Sequence, residues 1–278
     1  MKWTRRELLK MGFGAFALQM AGFAPLRAAL ADKHIPLCLE LYSIHDLFPK
    51  DPEKYLAAVK GMGYEGVEYA GFPIDVADLR KLQDKYGLIC SGSHTGRGQI
   101  DNPDELAKTI EKHLVLGAKF IICPGMGNDG KQGWIDAAKK FSEAAAIARK
   151  SDLYVGYHAH QPDYKPAFDG ESPWCVFGDN SSQDVVLQND LGHCVNSGTD
   201  PYPLIARYPG RGKTIHLKES DQKIMGEGRV DWKRAFKVCE TVGGVMHYVV
   251  EIERNFGTLE DAENSAKAYQ KLHVDYLD

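Results

Sequence analysis

The chain has 278 residues and a formal net charge of −4 at pH 7, with 34 Lys and Arg against 38 Asp and Glu. The sequence contains no basic stripe of the kind that binds a polyanion, so the composition argues against a nucleic-acid substrate or partner. It also contains six cysteines but no Cys-x-x-Cys pair. Cys38, Cys90 and Cys123 lie inside apolar, strand-like runs, where a free cysteine behaves as a small hydrophobic residue. We therefore expect mostly reduced, buried thiols, although an oxidising compartment would permit disulfides.

The first stretch of the chain predicts an export signal. Basic residues in Thr4–Lys10 precede the apolar, glycine-rich run Met11–Leu26, and a small-residue cleavage site follows at Ala29–Ala31. This order is typical of a secretory signal peptide, and the paired arginines indicate the twin-arginine export machinery as a partner. We predict a signal peptide over 1–31, one domain over 32–278 and a periplasmic or otherwise exported location after cleavage near Ala31. The alternative is an uncleaved membrane anchor, but the run is short and broken by glycine, so no stable anchor is expected.

From Ile35 onward, strand-like segments alternate with helix-like segments. Asp51 and Pro52 have the residue types of a helix start, and glycines follow several helix-like segments as stop signals. The first four predicted strands are IPLCLELYS (35–43), YEGVEYAG (64–71), LICSGSH (88–94) and KFIICPG (119–125). The helices that follow them are predicted from Asp51 to Gly61 or Gly63, over Val76–Tyr86, from Pro103 to Leu116 and over Ile135–Lys150.

The second half of the chain continues the same alternation. Its predicted strands are LYVGYHAH (153–160), VVLQND (185–190), KTIHLKE (213–219) and HYVVEIE (247–253). Its predicted helices cover Pro173–Phe177, Pro201–Tyr208, Trp232–Val242 and Leu259–His273. Eight strands that alternate with helices predict a parallel sheet, and 32–278 is close to the roughly 250 residues of a closed barrel. The predicted fold is therefore α/β, a single (β/α)8 TIM barrel.

Polar residues collect at the C-terminal ends of the predicted strands, which is where active sites lie in such barrels. They are Glu40, Tyr42, Glu68, His94, His158, His160, Asp190, His216, Lys218, Glu251 and Glu253. Each one alone has an ordinary explanation, such as a hydrogen-bonded histidine or a surface carboxylate. Together, imidazole and carboxylate groups on successive strands suit a divalent ion such as Mn²⁺, Mg²⁺ or Zn²⁺. We therefore expect a metal cofactor at the mouth of the barrel.

Five short motifs in the same order give the chain a resemblance to a known family. They are GYHAH (156–160), NDLGH (189–193) with GTDPYPLIARYPGR (198–211), HLKES (216–220), GEGRVDW (226–232) and VVEIER (249–254). With them the chain resembles the xylose isomerase-like TIM-barrel family of sugar isomerases and epimerases, which also contains endonuclease IV-type DNA-repair enzymes. The resemblance covers nearly all of 32–278. It implies a divalent metal held by residues of strands five to eight.

By position, the resemblance assigns the metal to His158, Asp190, His216 and Glu251. The first of these is a departure, because the better-known ketose epimerases have a glutamate there and use two glutamates on opposite faces of the reacting carbon. A symmetrical epimerisation is therefore in doubt. Whether His158 or His160 is the ligand from strand five remains open at this point.

The chemistry expected of such a site is removal of a proton next to a sugar carbonyl, which a metal assists by stabilising the enediolate. Glu251 is the expected base, and His160, His193 or Lys218 is expected to return the proton or to protonate a leaving oxygen. The predicted substrate-binding residues are Glu40, Tyr42, Glu68, His94, Trp134 and Glu253. Four aromatic residues either stack on a sugar face or pack at the end of the barrel, and the sequence favours neither role. They are Tyr42, Phe72, Trp134 and Trp174.

The leading hypothesis is thus a metal-dependent sugar isomerase or epimerase that acts on a non-phosphorylated keto- or aldo-sugar through an enediolate. Alternatives are a keto-glycoside lyase or dehydratase on the same scaffold, and a non-catalytic exported sugar-binding protein. A DNA-repair nuclease is disfavoured by the acidic composition and the predicted export. The identity of the sugar and of the metal, and whether the chain forms a homo-oligomer, are left open.

Overall fold

The computed structural model describes residues 34–127, 130–253 and 258–277, so the predicted signal peptide lies outside the described residues. Eight strands form one parallel sheet. They are β1 (Leu37–Glu40), β2 (Gly66–Tyr69), β3 (Ile89–His94), β4 (Phe120–Cys123), β5 (Tyr154–His158), β6 (Val186–Gln188), β7 (Thr214–Leu217) and β8 (His247–Val250). Their order in the sheet is β6-β5-β4-β3-β2-β1-β8-β7. Strands that are neighbours in the sheet are therefore consecutive in the chain, except that β1 pairs with β8, which joins the first strand to the last.

The two outer strands, β6 and β7, meet and close the barrel at the end that carries the polar residues. Asp190 and His216 form a parallel bridge there, and the backbone N–H of His216 donates to the carbonyl oxygen of Asn189 over 3.0 Å. Nearer the opposite end, the N–H of Leu187 donates to the carbonyl oxygen of Arg211 over 2.9 Å. The predicted single eight-stranded barrel is confirmed.

Helices alternate with the strands and cover the outside of the barrel. They are α1 (Pro52–Gly61), α2 (Val76–Tyr86), α3 (Arg97–Asp101), α4 (Pro103–Leu116), α5 (Gly130–Ala148), α6 (Pro173–Asn180), α7 (Leu191–Asn196), α8 (Pro201–Arg207), α9 (Trp232–Val238) and α10 (Leu259–Leu277). The start signals act as predicted, since the Asp51 and Asp231 carboxylates accept from backbone N–H groups in the first turns of α1 and α9. In the part of the chain that the structure describes, no helix is long and apolar enough to cross a membrane.

The sequence missed two short helices, α3 and α7, and misjudged the end of α9. Helix α9 ends at Val238 and continues as a wider π turn over Cys239–Gly243, where a single helix to Val242 was predicted. Helix α7 has only six residues, so its apolar pattern is too short to recognise. This omission matters, because α7 begins immediately after Asp190.

Small and apolar residues fill the barrel below the polar strand ends. Phe120, Ile122 and Val186 form a buried cluster. A Cβ atom on Gly156 would lie 2.8 Å from Ile122 and 2.7 Å from Val186, so only glycine fits at this point of β5. His158, two residues farther along the strand, points in the same direction. It therefore lies one layer above this cluster, at the C-terminal mouth of the barrel.

All six cysteines are free thiols, in agreement with the expectation from the sequence. Five of them are buried, and Cys175 is partly exposed. Burial raises the pKa of the Cys90, Cys194 and Cys239 thiols well above the usual value. These residues act as small apolar groups, as a protonated thiol in a core does.

Candidate metal centre and active site

Four side chains from successive strands converge at the mouth of the barrel. His158 ends β5, Asp190 follows β6, His216 lies in β7 and Glu251 follows β8. Each offers one imidazole nitrogen or carboxylate oxygen, and these four atoms all lie within 4.8 Å of one another. All four side chains are buried. The structure thus brings together the four residues that the resemblance assigns to a metal.

His158 has the surroundings expected of a metal ligand. Its side chain is 0% exposed, and among the described residues neither ring nitrogen has a hydrogen-bond partner. A buried polar group without a partner costs free energy, so an unsatisfied imidazole indicates a further partner such as a metal ion. Burial, together with the charges of His216 and His94, holds the pKa of His158 well below its usual value. The neutral ring therefore keeps the lone pair that a divalent ion requires.

Asp190 is held in position by its neighbours but has a carboxylate oxygen to spare. Its Oδ1 accepts from the backbone N–H of His193 over 2.7 Å, which starts helix α7. Its own N–H donates to the hydroxyl of Tyr164 over 3.0 Å. In the described ranges, Oδ2 has no hydrogen-bond partner, although it lies 3.3 Å from the ammonium of Lys218. Both His158 and Asp190 therefore fit a divalent ion that binds nitrogen and oxygen.

His216 lies between two carboxylates. Its Nδ1 is 2.8 Å from Oε2 of Glu251, and its Nε2 is 2.9 Å from Oε1 of Glu68. Burial alone lowers the pKa of His216, but the two carboxylates outweigh burial and hold it well above the usual value. Glu68 is in the position of the carboxylate that commonly orients a metal-binding histidine.

Lys218 lies beside this group, two residues after His216. Its Nζ is 3.3 Å from Asp190 Oδ2, 3.0 Å from Glu251 Oε2 and 3.1 Å from Glu253 Oε2. It is also 3.0 Å from Nε2 of His193. Burial lowers the pKa of Lys218, but the three carboxylates outweigh burial and raise it above the usual value. Lys218 therefore carries its charge inside the site.

A second group of predicted residues lies on the same side of the mouth. Ligand atoms of His160, His193 and Glu253 lie within 4.8 Å of one another, and these side chains are partly exposed. The rings of His160 and His193 have their centroids 5.1 Å apart. A small cavity of about 80 Å³ borders His193, Lys218, Glu251 and Glu253. The structure thus divides the two histidines of strand five: His158 joins the four-residue centre, and His160 joins this outer group.

Glu40 and Glu68, predicted to bind substrate, lie completely inside the barrel. They face each other across β1 and β2, because their backbones pair in register. Glu68 also accepts from Nε2 of Gln188 over 3.0 and 3.1 Å. Burial and the charge of Glu68 hold the pKa of Glu40 well above its usual value. This placement suits residues that support His216 from below better than residues that touch a sugar.

His94 and Tyr42 lie nearer to solvent. Nε2 of His94 is 3.2 Å from Oε1 of Glu68, and the side chain is 11% exposed. A cavity of about 350 Å³ borders His94, Phe72, Thr95, Gln99, Lys112 and His113. Tyr42 is exposed and stacks on His45 with a centroid distance of 4.7 Å. Both positions are compatible with the predicted contact to substrate.

Trp134, also predicted to bind substrate, lies instead in the core. It is buried in α5 and makes edge contacts with Tyr157 and Phe177. Tyr157 precedes His158 on β5 and therefore points to the opposite, outer face of the strand. Trp174 packs against the same outer layer, beside Tyr157 and Tyr164. These two tryptophans have the packing role, which is one of the two roles that the sequence left open.

Three supporting residues were missed at the sequence level. The hydroxyl of Tyr164 accepts from the backbone N–H of Asp190, and the side-chain amide of Gln188 donates to the carboxylate of Glu68. Glu219 anchors the GEGRVDW loop, because its carboxylate accepts from the N–H groups of Gly226 and Val230 and from Nε1 of Trp232. The first two act through contacts between residues far apart in the chain, for which the sequence carries no local signal. The polar Gly-x-Gly loop after HLKES was a usable signal for Glu219.

Comparisons with known proteins agree with this architecture. The model of the family described as xylose isomerase-like TIM barrel matches residues 56–272. An inosose dehydratase from Clostridium perfringens (strain 13 / Type A) is 22% identical over 260 residues, covering 78% of this chain and 87% of that protein. A sugar phosphate isomerase/epimerase from Parabacteroides distasonis ATCC 8503 has a similar structure, with a TM-score of 0.77 and 21% identity over 86% of this chain and 97% of that one.

A D-psicose 3-epimerase from Clostridium cellulolyticum H10 also shares the fold, with a TM-score of 0.69 and 12% identity over 87% of this chain and 99% of that one. At these identities the structural similarities concern the fold. The match to the family model spans well over half of the chain. This protein therefore belongs to the xylose isomerase-like TIM-barrel family.

Proposed function

We propose that this protein is a metal-dependent sugar isomerase or epimerase that removes a proton next to the carbonyl of a non-phosphorylated sugar. One observation carries the proposal: four buried ligand atoms converge at the mouth, and among the described residues neither ring nitrogen of His158 has a hydrogen-bond partner. His158, Asp190, His216 and Glu251 would hold the ion. When bound, a divalent ion supplies Lewis-acid stabilisation for the oxygens of the substrate that gain negative charge.

Glu251 is the base in this proposal. Burial alone raises the pKa of its carboxyl, but the charges of Lys218 and His216 outweigh burial and hold the pKa well below its usual range. The side chain is therefore an ionised carboxylate at neutral pH, which is the protonation state that a base requires.

The acid in this proposal is on the same side of the mouth as the base. Lys218 carries a proton at 3.0 Å from Glu251, and His193 and His160 follow it toward solvent. Each can return a proton to the substrate or give one to a departing oxygen. Return to the neighbouring carbon completes an isomerisation.

Dehydration is the second candidate function, and two observations favour it. The relative from Clostridium perfringens is an inosose dehydratase. The groups able to donate a proton lie beside Glu251, whereas an epimerisation needs a second base on the opposite face of the carbon. His158 occupies the position at which the resemblance expects that second carboxylate. A base and an acid on one side suit loss of a hydroxyl next to the abstracted proton.

The proposal is tested by hydrogen exchange. Protein loaded with Mn²⁺ is incubated in D₂O with a panel of ketoses, aldoses, 3-keto-glycosides and a keto-cyclitol, and C–H exchange is followed by NMR. We expect exchange with at least one sugar, and a loss of roughly 10²–10⁴-fold in Glu251→Gln, because the variant removes the base, which is also a proposed ligand of the ion. The exposed Glu227 provides the matched control, since Glu227→Gln removes an equivalent charge outside the centre.

The outcome also separates the alternatives. Loss of one water from the product, detected by mass spectrometry, identifies a dehydratase, and an isomer of equal mass identifies an isomerase or epimerase. No exchange with any sugar in the panel contradicts the proposal. Unchanged sugar affinity after Glu251→Gln and after metal removal, again without turnover, indicates a sugar-binding protein.

We propose further, from the sequence alone, that residues 1–31 direct export by the twin-arginine route and that 32–278 is the exported domain. Sugars are phosphorylated in the cytoplasm, and export would separate the enzyme from that compartment. The proposed substrate is therefore non-phosphorylated. Residues 1–31 fused to a reporter protein should carry it out of the cytoplasm, and the double change Arg5→Lys and Arg6→Lys should retain it. A reporter that stays in the cytoplasm with the unaltered segment would refute this proposal.

A further inference from the structure

The ammonium of Lys218 occupies a position that a metal ion could fill. Four potential metal ligands surround Nζ at 3.0–3.3 Å: Asp190 Oδ2, Glu251 Oε2, Glu253 Oε2 and His193 Nε2. An ammonium group has three hydrogens and no lone pair, so it can only donate. Nε2 of His193 is the fourth group around Nζ, and it also lies 3.5 Å from Oε2 of Glu253. Three carboxylate oxygens and an imidazole nitrogen around one position are the ligand types that hold a divalent cation.

A second observation is that the same position lies beside a further group of potential ligands. Ligand atoms of His160, His193 and Glu253 lie within 4.8 Å of one another, outside the four-residue centre. Two of them, His193 and Glu253, contact Nζ. Asp190 and Glu251 contact Nζ as well and belong to the first centre. These two carboxylates therefore lie between the two groups, as bridging carboxylates do in two-metal sites.

The lysine side chain is held in this position. Lys218 is only 6% exposed, and it lies immediately after β7. A Cβ atom on Gly192 would lie 2.9 Å from Cγ of Lys218, so the aliphatic stem packs directly against the start of α7. With its stem enclosed and its ammonium surrounded by acceptors, the side chain has little freedom to leave. A second ion held by the ligands around Nζ would occupy the position of the ammonium itself, so the two cannot be present together.

We propose that the ammonium of Lys218 takes the place of a second metal ion, so that the barrel binds one divalent ion where its ligands could hold two. The proposal rests on the metal centre of the proposed function. Lys218 then supplies, as a fixed charge, the positive potential that a second ion supplies in a two-metal site. Removal of the ammonium opens a second site formed by His160, His193 and Glu253, with Asp190 and Glu251 shared.

The test is metal stoichiometry. Wild type and Lys218→Met are loaded with Mn²⁺, freed of excess ion and analysed for bound manganese per chain, and their EPR spectra are recorded. We expect one ion in the wild type and two in Lys218→Met, with the EPR spectrum of a coupled pair, because ions that share carboxylates lie within about 4 Å of each other. Methionine matches the length of the lysine stem without its charge.

Two further variants control for loss of charge and for the identity of the site. Lys223→Met removes a positive charge from an exposed lysine of the neighbouring loop, and it should leave the stoichiometry at one. The double variant Lys218→Met/Glu253→Gln removes a ligand of the new site alone, and it should return the stoichiometry to one. Circular dichroism verifies folding, and Lys218→Gln replaces Lys218→Met if the methionine variant does not fold.

The outcomes distinguish this inference from the proposed function. One ion in both the wild type and Lys218→Met overturns the inference and leaves the first metal centre intact. Two ions in the wild type also overturn it, because the ammonium then excludes nothing. No ion in either protein refutes the metal centre itself and the inference with it. An ion only in Lys218→Met shows that the ammonium blocks the first centre, which contradicts its assignment to a second, separate position.

Discussion

His216 determines how the candidate centre responds to protons. Both of its ring nitrogens lie within hydrogen-bond distance of carboxylates, Nδ1 of Glu251 and Nε2 of Glu68. Because carboxylates only accept, the metal-free ring is stabilised with both protons in place. The pKa of His216 is accordingly well above its usual value, despite the opposing effect of burial. A metal can bind the ring only after one of these protons has left.

Metal binding should therefore release about one proton at neutral pH and strengthen with pH. Below the raised pKa of His216, the affinity for Mn²⁺ should fall about tenfold for each unit of pH decrease, since one proton competes with the ion. Calorimetric titration in buffers of different ionisation heat measures the released proton. In Glu68→Gln the pKa of His216 falls, so fewer protons should be released at pH 7. An affinity that does not change between pH 6 and pH 8 would contradict this prediction.

At the scale of elements, the strands position the site through the space that glycines leave between them. Gly156 of β5 lies against Val186 of β6, and Gly92 of β3 lies against Phe120 of β4. A Cβ atom on Gly92 would lie 2.4 Å from the carbonyl oxygen of Phe120. The short contacts involve backbone atoms, which cannot move without separating the strands. Since His158 follows Gly156 by two residues, this spacing also determines where the imidazole lies.

Gly156→Ala should therefore destabilise the barrel by about 1–3 kcal/mol, the usual cost of an overpacked core. The matched control is Gly61→Ala at the end of α1, where a Cβ atom meets nothing within 4 Å. Because alanine favours a helix over glycine by up to about 1 kcal/mol, this variant should be neutral or more stable. Urea unfolding of both variants measures the difference. If Gly156→Ala and Gly61→Ala have equal free energies of unfolding, β5 and β6 can separate without cost, which contradicts the prediction.

At the scale of the whole molecule, buried histidines away from the centre tie stability to pH. His113 donates from Nδ1 to the carbonyl oxygen of Thr109 over 2.7 Å, and its Nε2 is 2.9 Å from Oγ of Ser93. Burial lowers the pKa of His113 to about 4 and that of His247 to about 4. The unfolded chain binds protons at these histidines near their ordinary pKa of about 6.5, whereas the folded chain does so only near pH 4. Their contribution to stability is thus complete above the ordinary pKa and is lost as the pH falls toward 4.

For each of these two histidines, the free energy of unfolding should fall by about 2 kcal/mol when the pH falls from 7 to 5. The reason is that each pH unit between the unfolded and folded pKa values removes about 1.4 kcal/mol. The measurement is urea unfolding of the metal-free protein at both pH values, for the wild type and for His113→Gln. The difference between the two proteins in stability lost isolates His113, because the groups of the metal centre titrate in both proteins. The variant should lose less stability than the wild type over this interval. An equal loss would mean that His113 is protonated in the folded protein at pH 5.

The sequence by itself determined the alternation of elements, the closed barrel and the list of polar residues at its mouth. These properties are local, since Asp51 and Asp231 start helices through their own first turns, and strand alternation sets the direction of each side chain. It also placed His158 and His160 at one strand end, but it did not determine which of the two lies beside Asp190. Tertiary structure decided that point, and it also placed Glu68 against His216 and Trp134 against Tyr157 on the outer face of β5. The physical reason is that a side chain's direction follows from its own strand, whereas its partners depend on how all eight strands close.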